Sequence, residues 1–290
     1  MKDCLVRGIG ENGQFRVFAA TTTKLVEEAR SRHDTWPVAS AALGRALTAG
    51  LLLGANLKGD DILTLRIFGD GPLGAIVVTA NATGDVRGYV QEPHIQLPAK
   101  TAGKLPVGDA VGRGYLHVTK DMGLKEPFTG SVELVSGEIG EDVARYLLIS
   151  EQTPSAAALG VLVGPEGFVK AAGGIIIQML PGAEEKVLLH LEKSLSELTP
   201  VSSLVARGLG PEDIVAEAVK GLEVHYLESM SVRFKCKCSR ERVGDILAAM
   251  GRDEIIRILN EQGQTEVVCH FCGDRYIFAE SELESILEEL

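Results

Sequence analysis

Cys236-Lys237-Cys238 and, thirty residues further on, Cys269-His270-Phe271-Cys272 gather four of the chain's five cysteines into two tight pairs near its C-terminus. Thiolates are soft ligands, and a divalent zinc takes four of them in a tetrahedron. Pairs spaced by one and by two residues can each put both sulfurs on one knuckle of chain. Zinc is therefore the expected cofactor, one per chain, held by Cys236, Cys238, Cys269 and Cys272. Four sulfurs fill the shell and leave no position for a catalytic water. Such a centre either staples a small domain or, because thiolates are the oxidisable form of cysteine, serves as a redox switch. Lys235, Lys237, Arg240, Arg242 and Arg275 surround the pairs with positive charge that favours anionic sulfur. The spacing alone leaves staple and switch both open. His270 sits inside the second pair, where four sulfurs already suffice, and Cys4 lies outside the motif with no role assigned.

Other chemistry finds little support. His33, beside Asp34 and Trp36, could be imagined as a general base, but no nucleophile or second acid is recognisable, so a structural role is expected. Gly8, Gly10 and Gly13 have G-x-G-x-x-G spacing, as do Gly69, Gly71 and Gly74. A dinucleotide site needs that motif to open a helix, whereas these run into the strand patterns FRVFAA and AIVVTA, so both read as hairpin turns. Residues 1–180 carry 17 Lys+Arg against 19 Asp+Glu, and residues 181–290 carry 12 against 21, for a total of −11. Displacing counterions from phosphate needs a basic surface, so a nucleic-acid partner is not expected. Five cysteines in 290 residues are too sparse for a disulfide scaffold, and the opening MKDCLVRGIGENG has no apolar run of signal-peptide length. No apolar run approaches a membrane span. The expectation is a soluble, cytoplasmic protein.

A chain of this length buries roughly three quarters of its unfolded surface, and 45% hydrophobic content can fill a sizeable core. The fold class expected is α+β, in three parts. Residues 1–180 hold 25 of the 33 glycines. They show strand patterns at 15–20, 62–68, 75–79, 86–90, 115–118 and 131–135, and helical periods at 23–33, 38–57 and 141–151. Short hairpin connections favour a mainly antiparallel sheet with packed helices. The second helix is crowded with alanine and glycine, as close approach to a sheet requires. Residues 181–230, with four basic and nine acidic side chains, read as a helical linker of short amphipathic segments. Each is too short to stand alone. Residues 231–290 form a small zinc-binding module. It has a helix capped by Ser239, a second at 253–260, strands at 265–268 and 275–279 around the second cysteine pair, and a last helix opened by a Ser281/Glu284 capping box. So small a core contributes only a few kcal/mol, against about 10–16 kcal/mol for structural zinc.

In this arrangement the chain resembles the redox-regulated 33-kDa heat-shock protein family of bacterial holdase chaperones. The segments that carry the resemblance are RHDTWPVASAALGRAL (32–47), GDGPLGAI (69–76), FTGSVELVSGEIGED (128–142), SEQTPSAAALGVLV (150–163), AAGGIIIQMLPG (171–182) and VRFKCKCSRER (232–242), together with the filled C-x-C and C-x-x-C positions. The resemblance implies an ATP-independent chaperone rather than an enzyme, inactive when reduced and zinc-bound. Oxidants would convert the thiolates to disulfides, expel the metal and disorder the module and linker. The protein would then bind unfolding client proteins and dimerise. The pairing expected is local, Cys236–Cys238 and Cys269–Cys272, because neighbouring thiols keep a high effective concentration. Closing a ring over one intervening residue is the more strained, so Cys269–Cys272 is expected first. The alternative is a zinc-stapled enzyme with its active site in the N-terminal domain.

Metal analysis of purified variants tests the ligand set. His270→Ala should keep one zinc per chain and Cys269→Ser should lose it; loss of zinc from the histidine variant would overturn the assignment.

Overall fold

The structure is a computed structural model that describes residues 2–98 and 104–290, and it divides into two compact units, Met1–Lys235 and Cys236–Leu290. The first unit opens with a hairpin of β1 (Cys4–Gly10) and β2 (Phe15–Thr21). The glycine pattern there is a turn, as expected: Asn12 and Gly13 take φ of 57° and 88°. Gly10 must lack a side chain, since a Cβ would fall 2.0 Å from the Phe15 ring. Helices α1 (Thr23–His33) and α2 (Pro37–Gly54) follow. Next come β3 (Ile62–Gly69), β4 (Ala75–Asn81), β5 (Asp85–Val90), α3 (Val107–Val111), β6 (Gly114–Asp121), β7 (Phe128–Glu133) and α4 (Gly140–Ile149). The unit closes with β8 (Ser155–Val163), β9 (Val169–Met179), α5 (Glu185–Ser196), α6 (Val201–Ala206), α7 (Pro211–Val219), β10 (Val224–Ser231) and β11 (Arg233–Phe234).

Two sheets result, ordered β10-β1-β2-β9-β8 and β11-β5-β4-β3-β6-β7, antiparallel throughout except for the β11–β5 pair. Helix α2 contacts both sheets, and all but Pro37 and Arg45 of its eighteen residues are buried. It is apolar and long enough to cross a membrane, yet this length serves the core. Its small residues let the layers close: a Cβ on Gly50 would meet Val78 Cγ1 at 2.7 Å. The second sheet alternates, with Leu63, Leu65 and Ile67 buried and Ile62, Arg66 and Phe68 exposed, because only one face is covered. β9 is buried almost continuously. One of its sides meets α2, and its other side belongs to a cluster in which Val17, Ala19, Ile175 and Ile177 pack with Val187, Leu191, Leu204, Ile214 and Val215 of α5–α7.

Residues 181–230 are helical, as their periodicity predicts, only as far as Val219. Val224–Ser231, running one residue past that stretch, form β10, an edge strand that pairs along the whole of β1. Its side chains are mostly exposed on both faces, so no alternation marked it. The segment packs within the same compact unit as residues 1–180. The His33 ring stands edge-on to Phe234, and Asp34 ends α1 in a left-handed turn with its carboxylate 3.1 Å from His94 Nε2. Asp142, fully buried, accepts amides from Val135, Ser136 and Ile139 and so holds Ile139 at φ 73° ahead of α4.

The second unit consists of α8 (Arg240–Ala249), α9 (Arg252–Gln262), β12 (Thr265–Val268), β13 (Arg275–Phe278) and α10 (Glu280–Glu289). Its buried core is Val243, Leu247, Ile255, Phe278 and Leu283. The last helix starts two residues earlier than the expected Ser281/Glu284 box. Glu282 reaches back to the Ala279 amide at 3.0 Å, where it can also accept two hydrogen bonds from Arg240.

β11, the last element of the first unit, ends two residues before Cys236. The Arg233 amide donates to Gly84 O at 3.0 Å and the Lys235 amide to Val86 O at 2.8 Å. Beneath them the buried Asp85 carboxylate receives Arg233 Nε at 2.6 Å and Lys235 Nζ at 3.2 Å, while Arg32 stacks on Phe234. Burial alone would raise the Asp85 carboxyl. Hydrogen bonds and charge from Arg233 and Lys235 outweigh it and hold the group below the usual carboxylate range. The pair therefore stabilises the strand fully at neutral pH and loses that effect as pH falls through the depressed value. In hydrogen exchange on the full chain, Asp85→Asn should speed exchange of the Arg233 and Lys235 amides about tenfold or more; unchanged protection would show that backbone pairing alone holds β11.

Candidate metal centre

Cys236 and Cys238 lie on the extended segment between β11 and α8. Ser239 ends that segment by capping α8, its Oγ accepting the Arg242 amide at 3.2 Å, and Arg242 Nη1 donates back to Lys237 O at 3.1 Å. Helix cap and guanidinium together fix the C-x-C loop. Cys269 and Cys272 sit on the turn between β12 and β13. There the Cys269 carbonyl accepts the amides of Cys272 at 3.3 Å and Gly273 at 2.8 Å, and the Cys269 amide donates to Asp274 O at 2.9 Å. Gly273 takes φ 74°, the left-handed conformation this knuckle requires.

These two loops bring the four sulfurs within 4.8 Å of one another. Cys236 Sγ is 3.8 Å from Cys269 Sγ, and Cys238 Sγ is 3.2 Å from Cys272 Sγ. A tetrahedral zinc with Zn–S bonds of about 2.3 Å has S···S edges of about 3.8 Å, so the donor set and its dimensions fit that ion. Neither His270 nor Cys4 contributes a ligand atom to the cluster. Cys4 belongs to β1, with its sulfur 3.9 Å from Thr21 Oγ1. None of the cysteines is in a disulfide. Burial, and then the neighbouring sulfurs, push the Cys272 thiol well above its ordinary value. Burial raises Cys238 as well, against a lowering hydrogen bond from Tyr276. A dication answers both effects by supplying the countercharge that four crowded thiolates need.

Three of the basic residues around the pairs have acidic partners. Arg240 bonds Glu282 and lies 4.6 Å over the Phe278 ring, Arg275 pairs with Glu266 at 3.0 Å, and Lys235 pairs with Asp85. Arg240 thereby clasps the start of α8 to the start of α10, a structural role that charge counting missed. Sequence reading also passed over Tyr276, whose hydroxyl donates to Cys238 Sγ at 3.2 Å. Its one signal was position, four residues beyond Cys272 on a strand leading out of the knuckle.

A body of two sheets around one buried helix, followed by a separate module with four convergent cysteines, defines a two-unit α+β protein whose second unit could hold a metal. The chain belongs to the Hsp33 protein family, whose model matches residues 3–279. It is 59% identical over 290 residues to the 33 kDa chaperonin of Desulforamulus reducens, covering 100% of this chain and 99% of that one. It is 50% identical over 289 residues to the 33 kDa chaperonin of Bacillus licheniformis, with 99% and 100% covered. The crystal structure of the 33 kDa chaperonin from Thermotoga maritima superposes with a TM-score of 0.93 at 36% identity, covering 100% of this chain and 99% of that chain.

The module's five-residue core is too small to fold unaided. Stripping metal from the reduced protein with a chelator should abolish protection of amides in residues 236–290 and leave the amides of α2 and β9 protected. Retained protection in both units would show that packing alone holds the module.

Proposed function

We propose that the protein is an ATP-independent holdase chaperone switched on by oxidation. The observation that carries the reading is the convergence of four cysteine sulfurs in a unit with almost no other core. Relatives of near-equal length bear the name 33 kDa chaperonin, which supports a chaperone rather than an enzyme. In the reduced form Cys236, Cys238, Cys269 and Cys272 hold one zinc, which supplies the cross-link that fixes the two cysteine loops together. Oxidation by peroxide removes two electrons from each pair. Two thiolates and one peroxide give one disulfide and two hydroxides, and a disulfide sulfur has no negative charge left to offer a metal. The bridges form locally, Cys236–Cys238 and Cys269–Cys272, although in the reduced fold Cys236 also approaches Cys269 and Cys238 approaches Cys272. Once freed, neighbours in sequence stay close while the two loops separate.

Loss of the module then reaches the first unit through the chain. Residues 181–230 join the core as a layer of short helices and one edge strand. Releasing it would bare the apolar faces of α5–α7 and of β2 and β9 together, giving a surface for unfolding client proteins. Dimerisation in the active state and a cytoplasmic location complete the reading, with no part for nucleic acid or membrane.

Light scattering of a heat-unfolding client, with zinc measured alongside, tests this directly. Reduced protein should carry one zinc and leave aggregation unchecked, and peroxide-treated protein should lose the metal and suppress scattering. Hydrogen exchange should show protection lost beyond about residue 181 and kept before it. Equal suppression by reduced and oxidised protein would refute the switch, and uniform loss of protection would mean that peroxide only denatures the chain.

A further inference from the structure

Strand β10 is held chiefly by its backbone. It pairs with β1 from Val224 to Ser231, yet its side chains are mostly exposed. Their ties lie at the surface: Glu228 meets Arg7 at 2.7 Å, and the Tyr226 hydroxyl donates to Glu212 O at 3.2 Å. At the two ends of the ladder the Glu11 amide donates to Glu223 O at 2.9 Å and the Val232 amide to Asp3 O at 3.3 Å. Between them, alternation turns the amides of Leu5, Arg7 and Ile9 toward β10 and those of Val6 and Gly8 toward β2. Gly8 keeps the two backbones close, since a Cβ there would lie 3.0 Å from His225 O. Val232 alone separates β10 from β11, so one strap of chain closes an edge of each sheet before it runs on to Cys236. We propose that β10 occupies a client site: once the strap is released, the bared β1 edge takes an extended segment of unfolding polypeptide as its next strand. The trigger rests on the redox reading above, whereas the site does not.

A sheet edge presents N–H and C=O groups that any extended chain can match, whatever its side chains. That is the recognition a holdase needs, because its clients share a backbone and no sequence. β10 itself demonstrates the fit, as a strand that the edge holds with little help from side chains. Its covalent attachment keeps it at high local concentration, so a free polypeptide competes poorly while it is docked. When the zinc module loses its fold, the strap has lost its anchor beyond Lys235, and peeling runs back through the two-residue β11 to β10. The segment is thus a built-in occupant that keeps the edge closed to other chains.

A fluorescent peptide of residues 222–232 probes the edge of the full-length protein by anisotropy. It should bind the peroxide-treated protein and not the reduced one. N-methylation at His225 and Met230, whose amides face β1 in this register, should weaken binding about tenfold or more. N-methylation at Val224 and Ser229, whose amides face away, should leave it unchanged. Heat-unfolding luciferase should displace the peptide. The double variant His225→Pro, Met230→Pro removes two ladder donors, leaves β1 and every cysteine intact, and so vacates the edge without oxidant. Reduced, it should keep its zinc, exchange the amides of Leu5, Arg7 and Ile9 freely, and bind the peptide with the same N-methyl pattern. Equal binding of the two methylated peptides, no binding once those amides exchange freely, or luciferase that binds without displacing the peptide would overturn the proposal. Binding to the reduced variant, with a peroxide-treated wild type that stays closed, would uphold the site and refute only the switch.

Discussion

Crowding four sulfurs into a space under 5 Å across sets the terms for the C-terminal unit. Each cysteine is partly or wholly withdrawn from water, and at Cys272 burial and the neighbouring sulfurs both disfavour the charged form. The hydrocarbon available to oppose that cost is five buried side chains and six partly buried ones packed against them. Everything else in the unit (the Arg240 clasp, the Ser239 cap, the Gly273 turn) orients the two loops toward one another. Those devices act on geometry; they supply too little free energy to hold the charges together unaided.

The first unit is built on the opposite principle. One helix, α2, is buried on nearly all sides and supplies a core to both sheets at once. Its stability comes from dispersion and burial, which no thiol oxidant touches. The junction between the units is accordingly where local design is concentrated. β11 is only two residues long, and beside its backbone hydrogen bonds Asp85 pairs with Arg233 and Lys235.

What the sequence made legible follows from what carries a local signal. The cysteine cluster could be read because metal geometry depends on short spacing, and helix α1 because its period, at 23–33, is fully local. The strands β3 to β7 alternate or end in glycine turns, and they were found. β10 and β11 were not, since a doubly exposed edge strand and a two-residue strand have no periodicity to show. β9 was missed for the reverse reason, being covered on both faces, and β8, Ala-rich and mostly half-buried, shows no alternation either. Tyr276 and Asp85 act through partners far away in sequence, 38 residues for Cys238 and 148 for Arg233. No local rule couples such pairs.

The first sheet carries a consequence for the birth of the molecule. β1 and β2 are made well ahead of their sheet partners, β9 at 169–179 and β10 at 224–231. At translation rates of about 5–20 residues per second, the N-terminal hairpin waits on the order of 10–40 seconds before its outer edge is covered. During that interval an apolar hairpin and the α2 sequence both lack the partners that cover them in the folded unit. Nascent copies of this chain are thus themselves aggregation-prone for much of their synthesis, and the polar turns and charged flanks of β1 and α1 are where protection during that window must lie.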